Sequence, residues 1–447
     1  MLKVVPMILA IALCFSNLGF IDLGGITRDK IPVKITDNRL PRNHLTQDAK
    51  AAPLNEQLIN FEDVADTPTQ AVSEEVIQSD RQILRLHWDI IPNAVKYEIF
   101  IDGMTRVSYT NGIEVIVSDL HAPFQVNAIA LDGSTIETAI PIRDLDANPT
   151  APRTTTEFDK MNYPPIYPVY SWIPTAGADH YEVELIKDGK IIRRYFTQAN
   201  PDDDDFDLYD KRPVLDEGIY FWRVRGLNQD NQPVTQWSER DNTNSFEVKR
   251  QVRFCAFGDS ITHGGGSISV PPSTIVYNWE TYCAIPIKNL GRSGDTTAEL
   301  LDRFDNDVLP FRPEILFIMA GVNDYRANIP GWQSVQNLEI LRDKCYFNGI
   351  KPVFITPTPI NPAQIQKLGF VEMPPSDWQE NQRLICEWIR GQENFIDVND
   401  KLTDADGNLT DTLSVDGLHP DADGKKIIGE AVAAWLDKYL NLGAVNS

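Results

Sequence analysis

From Arg250 onward, short apolar runs alternate with longer amphipathic stretches, and this rhythm restricts the fold more than any other feature of the chain. Val252–Phe257, Ile287–Leu290, Ile315–Ala320, Val353–Thr356 and Phe395–Val398 read as strands. Thr296–Leu309, Ser334–Tyr346, Trp378–Ile389 and Gly424–Tyr439 read as helices, the first opened by Thr296 and Glu299 at capping-box spacing. Such alternation predicts a parallel sheet covered by helices on both faces, with functional groups gathered at the carboxyl ends of the strands.

The polar residues fall where that geometry asks for them. Val252–Phe257 runs into Gly258-Asp259-Ser260-Ile261-Thr262, and Asn289 leads into Gly291-Arg292-Ser293-Gly294. Ile315–Ala320 runs into Gly321-Val322-Asn323-Asp324, and Asp416-Gly417-Leu418-His419-Pro420 precedes the last helix. A serine hydroxyl is a poor nucleophile until a neighbouring base takes its proton. Ser260, at a strand-to-helix turn, is the candidate nucleophile, and this region offers only His263 and His419 as bases. His263 has no evident carboxylate partner, whereas Asp416 lies three residues before His419, close enough to set the imidazole tautomer.

These four segments, in this order, resemble the blocks of the SGNH/GDSL hydrolase family over about residues 251–441. The resemblance implies a three-layer α/β/α domain with a five-stranded parallel sheet over residues 250–447, and ester hydrolysis without a metal or cofactor. It implies a triad of Ser260, Asp416 and His419, and an oxyanion hole built from Ser260, Gly291 and Asn323. Asp259 and Asp324 are then supports for their loops. Ser293 lacks the G-x-S-x-G setting of a nucleophile elbow. Gly264-Gly265-Gly266 lacks the Lys-Ser/Thr of a phosphate loop and opens an insertion that runs to Trp279. Trp279, Arg292 and Tyr325 are the candidate substrate contacts.

Ahead of this region the chain repeats itself. Trp88 to Tyr97 and Trp172 to Tyr181 share a nine-residue spacing and lie 84 residues apart. Each Tyr opens an alternating run: Tyr97, Ile99 and Ile101 in the first copy, Tyr181, Val183 and Leu185 in the second, with His180, Glu182 and Glu184 opposite. Period 2 marks a half-buried strand. Asp102-Gly103 and Asp188-Gly189 supply hairpin turns, and Phe124, Val126, Ala128 and Tyr220, Trp222, Val224 supply a second run in each copy. The two units, with Trp237-Ser238 near the end of the second, resemble fibronectin type III or related immunoglobulin-like β-sandwiches. The expected modules span residues 81–145 and 150–249, the first short enough to lack a strand. They read as spacers rather than ligand-binding domains. Asp202 to Asp205, with Asp207 and Asp210, lacks the spacing of an EF-hand and reads as a solvated acidic loop.

The amino terminus concerns export. Lys3 precedes an apolar run from Val4 to Phe15, which is a signal-peptide length rather than a membrane span. Residues 1–16 read as a signal peptide, with an uncleaved anchor as the alternative and Leu13 speaking against lipidation of Cys14; residues 17–80 read as a linker or stalk. The location expected is secreted or cell-surface. Acidic residues outnumber basic ones 64 to 41, and the net charge of −23 repels phosphate-rich partners, which argues against nucleic-acid binding. The expected activity is hydrolysis of short-chain acyl esters, foremost O-acetyl groups on a polysaccharide or glycan, because modules of this type accompany extracellular enzymes. A lysophospholipase or short-chain lipase is the alternative within the enzyme class. A glycan-binding adhesion protein with a vestigial hydrolase domain is the alternative outside it, and the complete set of blocks argues against it.

Overall fold

The computed structural model describes residues 82–144, 149–197, 206–266, 270–368 and 373–445. The expected signal segment, the stalk and the Asp202–Asp205 run lie outside the described residues.

The first module holds β1 (Gln82–His87), β2 (Lys96–Ile101), β3 (Met104–Ser108), β4 (Gly112–Val117), β5 (Phe124–Ile129), β6 (Thr135–Ala139) and β7 (Ile142–Arg143). They form antiparallel sheets ordered β4-β1-β7 and β3-β2-β5-β6. The strand expected to be missing is supplied by β7, which is only two residues long. It pairs with the open side of β1, Leu86 opposite Arg143, and fills the edge. The second module holds β8 (Val169–Ser171), β9 (His180–Lys187), β10 (Lys190–Phe196), β11 (Asp207–Tyr209), β12 (Gly218–Leu227) and β13 (Ser245–Val248), ordered β10-β9-β12-β13 and β11-β8.

The shared Trp-to-Tyr spacing has a physical cause. Trp88 and Tyr97 are buried with ring centroids 5.0 Å apart, and Trp172 and Tyr181 lie at 5.1 Å. In each module the tyrosine hydroxyl accepts a backbone N–H from six residues earlier, Ile91 at 3.0 Å and Thr175 at 2.6 Å. The connecting loop is thus fastened to the ring that packs the core. Both Asp-Gly turns carry positive φ at both residues, 51° and 71° at Asp102-Gly103 and 51° and 75° at Asp188-Gly189, which matches the twist of a two-residue hairpin.

Two further expectations fail here. Glu182 and Glu184 are buried rather than on a wet face. Arg194 and Arg223 grip Glu184 at 2.5 and 2.6 Å, Arg225 grips Glu182 at 2.6 Å, and Trp237 lies over Arg223 and Arg225 at 4.3 and 4.4 Å from its ring centre. Alternation separates two faces but does not say that one is solvated. Asp210 is likewise no part of a solvated loop. It is buried, and it accepts from Arg193 at 2.6 Å, Tyr195 at 2.5 Å, Tyr170 at 3.1 Å and the Arg212 N–H at 3.0 Å.

The carboxy-terminal region runs β14 (Phe254–Gly258), α1 (Ser260–His263), β15 (Lys288–Asn289), α2 (Thr297–Asp307), β16 (Ile315–Met319), α3 (Val322–Arg326), α4 (Gly331–Phe347), β17 (Lys351–Ile355), α5 (Pro362–Leu368), α6 (Trp378–Arg390), β18 (Phe395–Ile396), α7 (Asn399–Leu402) and α8 (Ala422–Val445). The sheet is parallel, in the order β15-β14-β16-β17-β18, and forms the middle of an α/β/α sandwich. Register explains the two helical layers. Phe257, Ile318 and Phe354 align on one face, where Phe257 meets Phe304 of α2 and Phe354 meets Trp388 of α6. Phe317 points the other way, against Trp435 of α8. Thr296 and Glu299 form the expected capping box on α2. The described cysteines, Cys255, Cys283, Cys345 and Cys386, are all buried and free, and burial pushes every thiol up.

The second module is more than a spacer. Its segment before β8 lies along the edge of the parallel sheet, where the Ile166 N–H donates to the Asn289 carbonyl at 3.1 Å and Lys288 Nζ donates to the Pro164 carbonyl at 2.9 Å. Ile166 and Tyr167 belong to the same apolar core as β14 and β16. The insertion after α1 also docks the modules. Ile275 N–H donates to Glu157 at 2.7 Å, and the Asn93 N–H donates to the Tyr277 hydroxyl at 3.3 Å. Replacing Asp210 by Ala leaves a half-buried arginine and the Tyr170 and Tyr195 hydroxyls without the carboxylate they share; urea unfolding should register a loss of about 3 kcal/mol.

Candidate active site

Three strand-end loops and the loop before α8 carry the polar groups above the sheet. β14 must end in glycine, because a Cβ at Gly258 would collide with the Met319 carbonyl. Asp259 then caps α1 by accepting the Ile261 N–H at 2.9 Å, which places Ser260 at the start of the helical turn. After β16, Gly321 takes φ 125°, and α3 presents Asn323. In the last loop Gly417, at φ 77°, packs so closely that a Cβ would meet the Asn361 carbonyl at 2.5 Å.

Ser260 Oγ lies 3.0 Å from His419 Nε2, and His419 Nδ1 lies 2.7 Å from Asp416 Oδ2. A carboxylate only accepts, so Nδ1 carries the hydrogen and Nε2 faces the serine with its lone pair. Asp416 Oδ1 is occupied too, by the N–H groups of Leu418 at 2.8 Å and His419 at 2.7 Å. Burial by itself would raise this carboxyl; His419 and those two N–H groups outweigh it and hold Asp416 below its ordinary value. A charged Asp416 is therefore positioned to offset an imidazolium. This set can move a proton from the serine oxygen to His419 while the serine attacks a carbonyl.

Beneath α1 sits a second buried charge group. Lys425 Nζ donates to the Ile261 carbonyl at 2.6 Å. Burial pushes Lys425 down to about 8, and pushes Asp259 and Glu280 each up to about 7. Asp324 accepts from the Thr297 N–H at 2.9 Å and the Ser334 hydroxyl at 2.9 Å, tying α3 to α2 and α4. Both Asp259 and Asp324 thus brace loops.

The residues expected to build the oxyanion hole differ in their hydrogen bonding. Asn323 is buried and donates one Nδ2 hydrogen to the Asp295 carbonyl at 2.9 Å, which leaves the second hydrogen of the amide for another acceptor. Gly291 is different. Its N–H is held by Asn289 Oδ1 at 2.9 Å, and its missing side chain serves packing, since a Cβ would collide with the His263 backbone nitrogen. The other glycine of that block, Gly294, turns the chain at φ 87° immediately before Asp295, whose carbonyl holds Asn323. The signal that separates the two is the hydrogen-bonding of Asn289, which no local pattern reveals.

Two of the three candidate substrate contacts are corrected. Trp279 is fully buried against α8, where its carbonyl leaves room only for Gly429. Tyr325 is fully buried with its ring 5.9 Å from Trp378 and its hydroxyl bound to the Thr358 carbonyl. Both are core residues, as large aromatics beside glycine-rich turns commonly are. Arg292 remains partly exposed at 30% of its side chain, paired with Asp295 at 2.6 Å. Gly291→Ala would push α1 off β15; we expect a stability loss of at least about 1–3 kcal/mol in urea unfolding.

Residues 256–427 match the model of the GDSL-like lipase/acylhydrolase family. Among solved structures, the chain is similar to a lipase/acylhydrolase from Enterococcus faecalis, at 25% identity over 41% of this chain and 94% of that one, with a TM-score of 0.35. It is similar to a GDSL-like lipase from Bacteroides thetaiotaomicron VPI-5482, at 20% identity over 43% and 91%, with a TM-score of 0.34. It is also similar to a catalytic mutant of an acetylxylan esterase from Geobacillus stearothermophilus, at 18% identity over 42% and 95%, with a TM-score of 0.32. A curated relative, the uncharacterized lipoprotein YqeF of Bacillus subtilis strain 168, is 37% identical over 82 residues, 17% of this chain and 34% of the relative, so the chain spans about a third of that protein's length. The family match spans residues 256–427, the stretch that carries all four polar loops, and it is a match to that domain of the chain.

Proposed function

We propose that the protein is an exported serine esterase acting on short acyl esters, foremost O-acetyl groups on carbohydrate. The observation that carries this reading is the continuous chain from Ser260 Oγ to His419 at 3.0 Å and on to Asp416 at 2.7 Å. Ser260 attacks the ester carbonyl as its proton passes to His419 Nε2. The imidazolium, offset by Asp416, returns that proton to the departing alcohol oxygen. Water, activated by the same histidine, then releases the acid and regenerates Ser260. The oxyanion is met by the N–H of Ser260, the free hydrogen of the Asn323 amide and the N–H of Gly294 in place of Gly291.

Arg292, partly exposed in the loop after β15, suits an alcohol rich in hydroxyls better than a long acyl tail. We assign residues 1–16 to export, 17–80 to a stalk, 81–145 and 150–249 to fibronectin type III-like modules, and 250–447 to catalysis. The apolar run at the amino terminus and the lipoprotein name of the Bacillus subtilis relative support a place outside the cytoplasm. Among the described residues no helix is long and apolar enough to cross a membrane.

A fluorophosphonate probe should label the wild type and not Ser260→Ala; no labelling of the wild type would overturn the esterase reading. With p-nitrophenyl esters, activity should peak at the acetyl ester, whereas a peak at eight carbons or more would make the protein a lipase. Asn323→Ala should lower kcat about 10²–10³-fold. Asp416→Asn should lower it by about 10⁴, by releasing the wrong tautomer of His419.

A further inference from the structure

His263 is a buried histidine that the hydrolytic mechanism does not use, and its partners are unusual. It stands one turn after Ser260 on α1. Its Nε2 lies 2.6 Å from the Tyr167 carbonyl, which can only accept, so Nε2 carries the hydrogen. Its Nδ1 is then an acceptor, and it receives both the Ser293 hydroxyl at 2.9 Å and the Ser293 N–H at 3.3 Å. One neutral ring thereby joins three pieces of chain: the nucleophile turn, the second β-module and the loop after β15.

Ser293 and His263 do not form a second nucleophile–base pair. Taking the serine proton would make an imidazolium whose other nitrogen faces a carbonyl rather than a carboxylate. Burial, together with Arg303, Lys425 and Arg292, holds the His263 ring down to about 4 and so neutral.

The joined loop matters because of the two residues after Ser293. Gly294 turns at φ 87°, and the Asp295 carbonyl accepts from Asn323 Nδ2 at 2.9 Å. The same loop is fixed from its other side. Asp295 pairs with Arg292 at 2.6 Å and Arg303 at 2.5 Å, and Arg303 pairs with Asp307 at 3.0 Å. Asp307 in turn accepts from the Tyr167 hydroxyl at 2.7 Å, while Arg292 and Arg303 each lie 5.7 Å from the Tyr167 ring centre. A single residue of the β-module holds the oxyanion loop at both ends, through His263 by its carbonyl and through Asp307 by its hydroxyl.

We propose that His263 and Tyr167 are positioning residues for ester hydrolysis, fixing the Ser293–Asp295 turn against α1, so that the second β-module completes the catalytic apparatus. This rests on the esterase reading above. The required measurement is steady-state kinetics on p-nitrophenyl acetate with the full chain, alongside thermal melts.

His263→Ala and Ser293→Ala should each lower kcat about 10- to 100-fold with KM within about twofold, because a misplacement near 1 Å costs about that much. The double variant should be no slower than the worse single variant, since both changes break one link. His263→Gln, whose amide offers a donor and an acceptor, should recover to within about fivefold of wild type. Ser293→Ala, at a partly exposed position, decides the matter if His263→Ala fails to fold. Folded single variants with kcat within twofold of wild type, or losses that multiply in the double variant, would overturn the proposal. Failure of the wild type to react with the fluorophosphonate would instead remove the esterase reading, and this proposal with it.

Discussion

One carboxylate organises the candidate site. Asp416 is buried and yet held in its charged form, because its two oxygens receive an imidazole N–H and two backbone N–H groups. That arrangement is possible only because Gly417 takes a left-handed turn where any side chain would strike the Asn361 backbone. The tautomer of His419, its aim at Ser260 and the charge available to a transient imidazolium all descend from it. Buried charge of this kind is costly unless fully hydrogen-bonded, which explains why the loop is so tightly specified.

Around that centre the molecule is layered by support. The sheet fixes where β14 and β16 end; the helices after them hold Ser260 and Asn323; and of the buried acidic groups, Asp259 caps the first helix while Asp324 fastens the second to its neighbours. The β-modules continue the same logic outward. Their Trp–Tyr pairs stiffen each sandwich, and the segment through Ile166 and Tyr167 enters the hydrolase core.

Much of this was legible in the sequence because it is local. Apolar runs punctuated by glycine gave the parallel strands, with β15 and β18 shorter than expected since edge strands pair on one side only. Asp416 three residues before His419 was readable for the same reason. What was not legible depends on tertiary partners. Trp279 and Tyr325 resembled pocket residues because aromatic side chains suit pockets and cores alike. Gly291 and Gly294 are told apart by the Asn289 bond, by packing against His263 and by φ, all of which are set by the fold. Glu182, Glu184 and Asp210 are buried because arginines from distant strands arrive to pair with them, and no alternation pattern announces such arrivals.

The thiols of Cys255, Cys283, Cys345 and Cys386 are sealed inside the hydrolase domain, unpaired and held in the protonated state by burial. A protonated sulfur is neither nucleophilic nor readily oxidised. Once folded, this domain therefore offers ambient oxidants no accessible thiolate and mild reductants no cross-link to break.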